Sequence, residues 1–167
     1  MPPIQSRVWR IVLIVLLVAA SWQAMLATHE LGHVLHAWWS GGPVERVVLY
    51  PLTISRTDVA PNPHPQFVAW GGAVWGALIP LALLALVRRF APRLTQPATF
   101  FAGFCCLANE LDLVGGSFGG AGDAGDLLRY GAAIWQLGLF GVPVSLLGLW
   151  LWHRLGPRFG LAPEKGV

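Results

Sequence analysis

The sequence predicts an all-α integral membrane protein with about four transmembrane helices and a short β-hairpin or edge strand between the first and second. Two observations lead to this. Hydrophobic residues make up 55% of the 167 positions and charged residues only 11%, against roughly a quarter charged in an ordinary soluble domain. The apolar residues also gather into four stretches of about the ~20 residues that a bilayer core demands. These stretches occupy nearly the whole chain, so residues 1–167 form a single polytopic domain with no room for a separate soluble module.

The first span covers residues 8–39, opening with Ile11-Val12-Leu13-Ile14 and closing on Trp38-Trp39. Arg7 and Arg10 imitate the basic start of a signal peptide, and Ala24 to Ala27 imitate its cleavage site. The apolar pattern continues through Val34, Leu35 and Ala37, so the segment reads as a retained helix. Between the first two spans, Val44-Glu45-Arg46-Val47-Val48 and Thr53-Ile54-Ser55-Arg56-Thr57 are rich in β-branched residues. They predict a hairpin or edge strand, with a solvated connecting loop as the alternative.

The second span, residues 67–87, carries Gly72-x-x-x-Gly76 ahead of Pro80. Small residues at that spacing let helix backbones approach closely in lipid. They serve packing within one chain or between two, so the oligomeric state stays open. The third span, residues 98–114, contains Asn109, Glu110 and Asp112, and polar groups at membrane depth are expensive enough to mark a functional region. Glycine-rich residues 115–126 are expected to break the helix. The fourth span covers residues 127–152.

Four spans put the termini and the 88–97 connection on one side of the bilayer. That side holds Arg7, Arg10, Arg88, Arg89, Arg93, Arg154, Arg158 and Lys165, whereas the other holds Arg46, Arg56 and Arg129. The excess of basic residues predicts that both termini are cytoplasmic. Because these residues flank apolar spans and form no basic face, nucleic acid is excluded as a partner. The lipid bilayer is the expected environment. Cys105 and Cys106 are adjacent and lack metal-binding spacing, so they read as packing residues without a disulfide.

Inside the first span lies Thr28-His29-Glu30-Leu31-Gly32-His33, an H-E-x-x-H pattern that this composition would generate by chance about 0.003 times. On a helix the two histidines stack on one face, so both imidazoles can grip one ion with Glu30 beside it. A Glu held between two histidines in hydrocarbon also needs a compensating charge, which a metal ion supplies. His29 and His33 would lie roughly 14 and 8 Å below the outer interface marked by Trp38. His36 shares their face, but a fourth protein ligand would close the site, so it reads as a packing or hydrogen-bonding partner.

Catalytic zinc takes three protein ligands. By the topology above, the 115–126 stretch emerges on the same outer side as the histidines and offers Asp123 and Asp126. Irregular backbone at such a depth is tolerated where it is packed in protein or lines a wet cavity.

These residues resemble the site-2 protease family of intramembrane metalloproteases (family M50). The matching residues are His29-Glu30-Leu31-Gly32-His33 followed by Ala37, Gly41 and Gly42, then Trp70-Gly71-Gly72-Ala73-Val74-Trp75-Gly76. Asn109 fits the family's later Asn, and Asp123-Ala124-Gly125-Asp126-Leu127-Leu128 fits the segment whose Asp is the third ligand. The leading Leu and the Pro-rich approach of that segment are missing here, and its spacing from the Asn is longer. Asp126 and the Leu111-Asp112 pair are therefore alternatives to Asp123.

The resemblance implies zinc held by His29, His33 and Asp123, Glu30 as catalytic base, Asn109 contacting substrate backbone, and transmembrane proteins as substrates. It also implies that the segment between the first two spans clamps extended substrate by strand addition. A noncatalytic metal-containing membrane protein that binds partner helices is the competing expectation, distinguished by a closed coordination shell. Metal transport ranks behind both, because the inner halves of the spans lack polar residues.

Overall fold

The computed structural model describes residues 4–53, 55–153 and 155. Five α-helices and one antiparallel two-stranded sheet follow in the order α1 (Ile4–Trp39), β1 (Val44–Val48), β2 (Arg56–Val59), α2 (Pro65–Phe90), α3 (Thr95–Gly119), α4 (Gly122–Arg129) and α5 (Ile134–Trp152). Four helices are long and apolar enough to cross a membrane, within Val8–Trp39, Pro65–Phe90, Pro92–Gly119 and Ile134–Trp152. Outward-facing apolar residues such as Leu13, Leu16, Leu139, Leu146 and Trp150 coat this bundle, as expected of a surface solvated by lipid chains. Arg154, Arg158 and Lys165, three of the charges that fix the predicted orientation, lie outside the described residues.

The expected spans need two corrections. The third does not end at Val114: α3 runs through Gly115 and Gly116 to Gly119 and stops at Gly120, whose φ is +64°. A helix tolerates glycine at modest cost, and the chain turns only where a left-handed conformation is adopted. The fourth does not start at Leu127. Residues Gly122–Arg129 form the separate helix α4, and α5 begins at Ile134, where the Gln136 side chain accepts a hydrogen bond from the Ala133 amide at 2.8 Å.

Close packing of α1 on α2 comes from glycine. A Cβ on either Gly32 or Gly71 would collide with the backbone carbonyl of the other, so the two helices touch backbone to backbone beside the H-E-x-x-H turn. Ala69, Ala73, Leu113, Ala124, Leu127 and Leu137 form a buried cluster joining α2, α3, α4 and α5. Ala124 and Leu127 have no exposed surface. This anchors the short α4 and fixes the direction of Asp123.

The hairpin pairs Val47 with Thr57 and Val48 with Arg56, with a bulge between Val44 and Arg46. It runs back along α1: the carbonyl of Pro51 accepts hydrogen bonds from Trp22 Nε1 at 3.0 Å and Gln23 Nε2 at 2.9 Å. Trp22 precedes Trp39 by 17 residues, roughly 25 Å of helix. The Pro51 carbonyl, near the hairpin tip, is therefore held by protein donors at the level of the helix interior, as a polar group at membrane depth requires.

Candidate metal centre

His29 and His33 occupy successive turns of α1, and Asp123 reaches them from the first turn of α4. His29 Nε2 and His33 Nε2 are 3.2 Å apart. Asp123 Oδ2 lies 2.9 Å from the first and 3.1 Å from the second. One donor atom from each of the three residues falls within 4.8 Å of the others. Residues 90 positions apart in sequence thus meet at one point.

The histidines' other nitrogens define what these atoms can do. His33 Nδ1 is 2.8 Å from the Val68 carbonyl, which only accepts, and His29 Nδ1 is 2.9 Å from Asn109 Oδ1. Asn109 Nδ2 donates to the Cys105 carbonyl at 3.0 Å, which orients its oxygen toward His29. Both imidazoles therefore carry a proton on Nδ1 and, when neutral, aim the Nε2 lone pair inward. Asp123 Oδ2, buried between the two rings, meets both Nε2 atoms and adds a third ligand atom. Two imidazoles and a carboxylate so placed could hold a metal ion.

Burial alone disfavours the charged form of Asp123, but the neighbouring His33 and His29 outweigh it and hold the carboxyl below the ordinary carboxylate range. The wall opposite the lone pairs is Gly72. A Cβ there would stand 2.5 Å from His29 Nε2 and 2.6 Å from His33 Nε2. Gly76, one turn on, makes the same allowance for Asn109, whose amide nitrogen would be 2.7 Å from an added Cβ. The expected Gly72-x-x-x-Gly76 pair thus clears space for the site.

Glu30 is buried beside the group, and its Oε2 accepts a hydrogen bond from Thr57 Oγ1 of β2 at 2.7 Å. No hydrogen bond from the described residues engages Oε1. Two clefts meet at Glu30. One, of about 330 Å³, is largely polar and includes His33, Arg56, Thr57, Val68, Asp123 and Tyr130 in its walls. The other, of about 380 Å³, opens between α1 and α3 and is lined mostly by apolar side chains. β2 forms its ladder with β1 on one side only and lines the polar cleft.

No family model matches the chain, and no curated protein or solved structure matches it.

Of the three aspartates considered for the third position, the group contains Asp123. Asp126 is half-exposed and pairs with Arg129 at 3.1 Å, and Asp112 lies against Gly122 without joining the group. Asn109, expected at the substrate, has its oxygen and amide both engaged inside the protein. His36 stacks on Phe67 with ring centroids 4.1 Å apart and contacts the Phe67 carbonyl through Nδ1. Glu110 is fully buried against Gly141 of α5, with neither oxygen partnered among the described residues. Thr57 and the Val68 carbonyl escape sequence reading: one is an ordinary β-strand hydroxyl, the other a backbone group whose role exists only after α2 has packed.

Proposed function

We propose that this chain is a zinc-dependent intramembrane endopeptidase of the site-2 protease kind, acting on transmembrane protein substrates. The observation that carries the reading is the convergence of His29, His33 and Asp123 with the unengaged Glu30 Oε1 at the junction of two clefts. His29, His33 and Asp123 would hold the ion. Zinc in such a site supplies Lewis acidity and makes water nucleophilic near neutral pH.

The remaining chemistry belongs to the chain's own residues. Glu30 takes the proton of the attacking water on Oε1 and returns it to the departing amine, while Thr57 keeps Oε2 in place. Asn109 and Val68 hold the two imidazoles in the tautomer that leaves Nε2 free. A helical substrate has no spare backbone groups, so it must unwind locally before cleavage. The unpaired edge of β2 offers the extended segment a strand to join. Both termini of the enzyme are assigned to the cytoplasm by the distribution of basic residues.

Elemental analysis of the purified protein, combined with hydrolysis of a single-span test peptide, tests this. About one zinc per chain is expected in the parent, in Glu30→Gln and in Asp126→Ala, with loss in His29→Ala and Asp123→Ala. Hydrolysis should vanish in Glu30→Gln. A folded parent without bound metal would sink the reading, and a metal-loaded protein inert toward every peptide would favour a noncatalytic, helix-binding role.

A further inference from the structure

The cleft between α1 and α3 holds a charge that neither the metal group nor Glu30 explains. Trp22, Met25 and Leu26 from α1 and Ala108 and Leu111 from α3 form its apolar wall, and Asp112 lines it together with His29, Glu30, Ser55 and Asn109. Asp112 is exposed. A Cβ on Gly122 would lie 3.2 Å from its Oδ2, which sets the carboxylate against the residue preceding Asp123. No hydrogen bond or ion pair engages it among the described residues. Of the other acids lining the two clefts, Asp58 pairs with Arg46 and Arg56, Asp126 with Arg129 and Asp123 with His29 and His33, and Glu30 is held through one oxygen by Thr57.

An unpaired carboxylate at membrane depth, facing a cleft walled on one part by Trp22, Met25, Leu26 and Leu111, is unfavourable, and a cation at the same depth is equally so. Each relieves the other when they meet. We propose that Asp112 selects substrates carrying a Lys or Arg next to the peptide bond presented to Glu30, at the end of an apolar stretch that fills the α1–α3 cleft. This rests on the endopeptidase reading and adds a substrate class to it. The apolar walls accept the membrane-embedded part, and Asp112 draws in a basic side chain where it leaves that stretch. An acidic residue at the same point is repelled by Asp112.

The test uses the zinc-loaded Glu30→Gln protein in lipid nanodiscs. The probes are fluorescent peptides of about 20 Leu and Ala residues with Lys, Glu or Leu at the boundary with a polar tail. The Lys peptide is expected to bind about tenfold more tightly than the Glu peptide. Asp112→Asn should bring the two within about twofold, and Asp112→Lys should reverse their order, with zinc content unchanged in both. Equal binding of the Lys and Glu peptides by the protein with Asp112 intact overturns the proposal, as does a Lys preference that survives Asp112→Asn. Zinc loss in Asp112→Asn overturns it too, because the carboxylate would then serve the metal group. Binding is read without hydrolysis, so failure here leaves the proteolytic reading standing, and failure of hydrolysis leaves this preference measurable.

Discussion

Asp123 is the residue on which the candidate centre turns, because its carboxylate meets both imidazoles directly. His33 and His29 hold its carboxyl below the ordinary carboxylate range against the opposing effect of burial, so above a pH of about 4 the ionised form and its attraction are expected in full, fading only as the pH falls through the depressed value. Asp123→Asn removes the charge at every working pH. The expected outcome is a zinc deficit that does not recover between about pH 6 and pH 9, read by metal titration of the purified variant. Recovery at high pH would mean that another group can supply the charge. Asn109 acts one step removed, by fixing the His29 ring. Asn109→Ala is expected to weaken metal affinity by about 10- to 100-fold while leaving the bundle folded. The H-E-x-x-H residues were legible in sequence because their geometry is local, two turns of one helix. Asp123 was reachable only through topology, and the contact of Asn109 with His29 was not, because nothing local reveals that its oxygen faces an imidazole 80 residues away.

At the level of elements, α2 contributes to the site through what it lacks. Gly71 lets α1 come into backbone contact, Gly72 leaves room for both Nε2 atoms, and Gly76 leaves room for Asn109. Gly72→Ala should raise intrinsic helix propensity by about 1 kcal/mol yet abolish metal binding, since its Cβ would occupy the position facing the two nitrogens. Unchanged far-ultraviolet circular dichroism with loss of bound zinc is the expected pair of results; retained zinc would show that the imidazoles can shift aside. The small-residue spacing was visible in sequence as a helix-packing signal, but its second role required knowing which face α2 turns toward His29. The same limit explains the glycine-rich stretch after Val114. Composition predicts a break there, whereas the helix continues until a positive φ is needed, and Gly122–Arg129 then form a short helix that composition divides between the glycine-rich stretch and the fourth span. The hairpin was expected from its β-branched residues. Its descent along α1 follows from hydrogen bonds between Pro51 and the side chains of Trp22 and Gln23, which no sequence pattern announces.

The whole molecule combines a lipid-coated bundle with a polar group set toward one end of α1, and its orientation decides from which side substrates arrive. An even number of spans returns the chain to the side where it began, and the distribution of basic residues predicts that this side is cytoplasmic. The hairpin, the start of α2 and the metal group then face the other compartment. Thiol labelling can read this directly, because Cys105 and Cys106 are both buried and give little background. His64, exposed just before α2, and Leu94, exposed between α2 and α3, mark opposite ends of one helix. In intact cells a membrane-impermeant maleimide should label His64→Cys at once and Leu94→Cys only after the membrane is opened. The reverse pattern would invert the molecule and place the candidate site near the cytoplasmic face. Its substrates would then enter from the side where Lys and Arg are abundant at the ends of membrane spans, and the selection proposed for Asp112 would act on a common feature of membrane proteins instead of a scarce one.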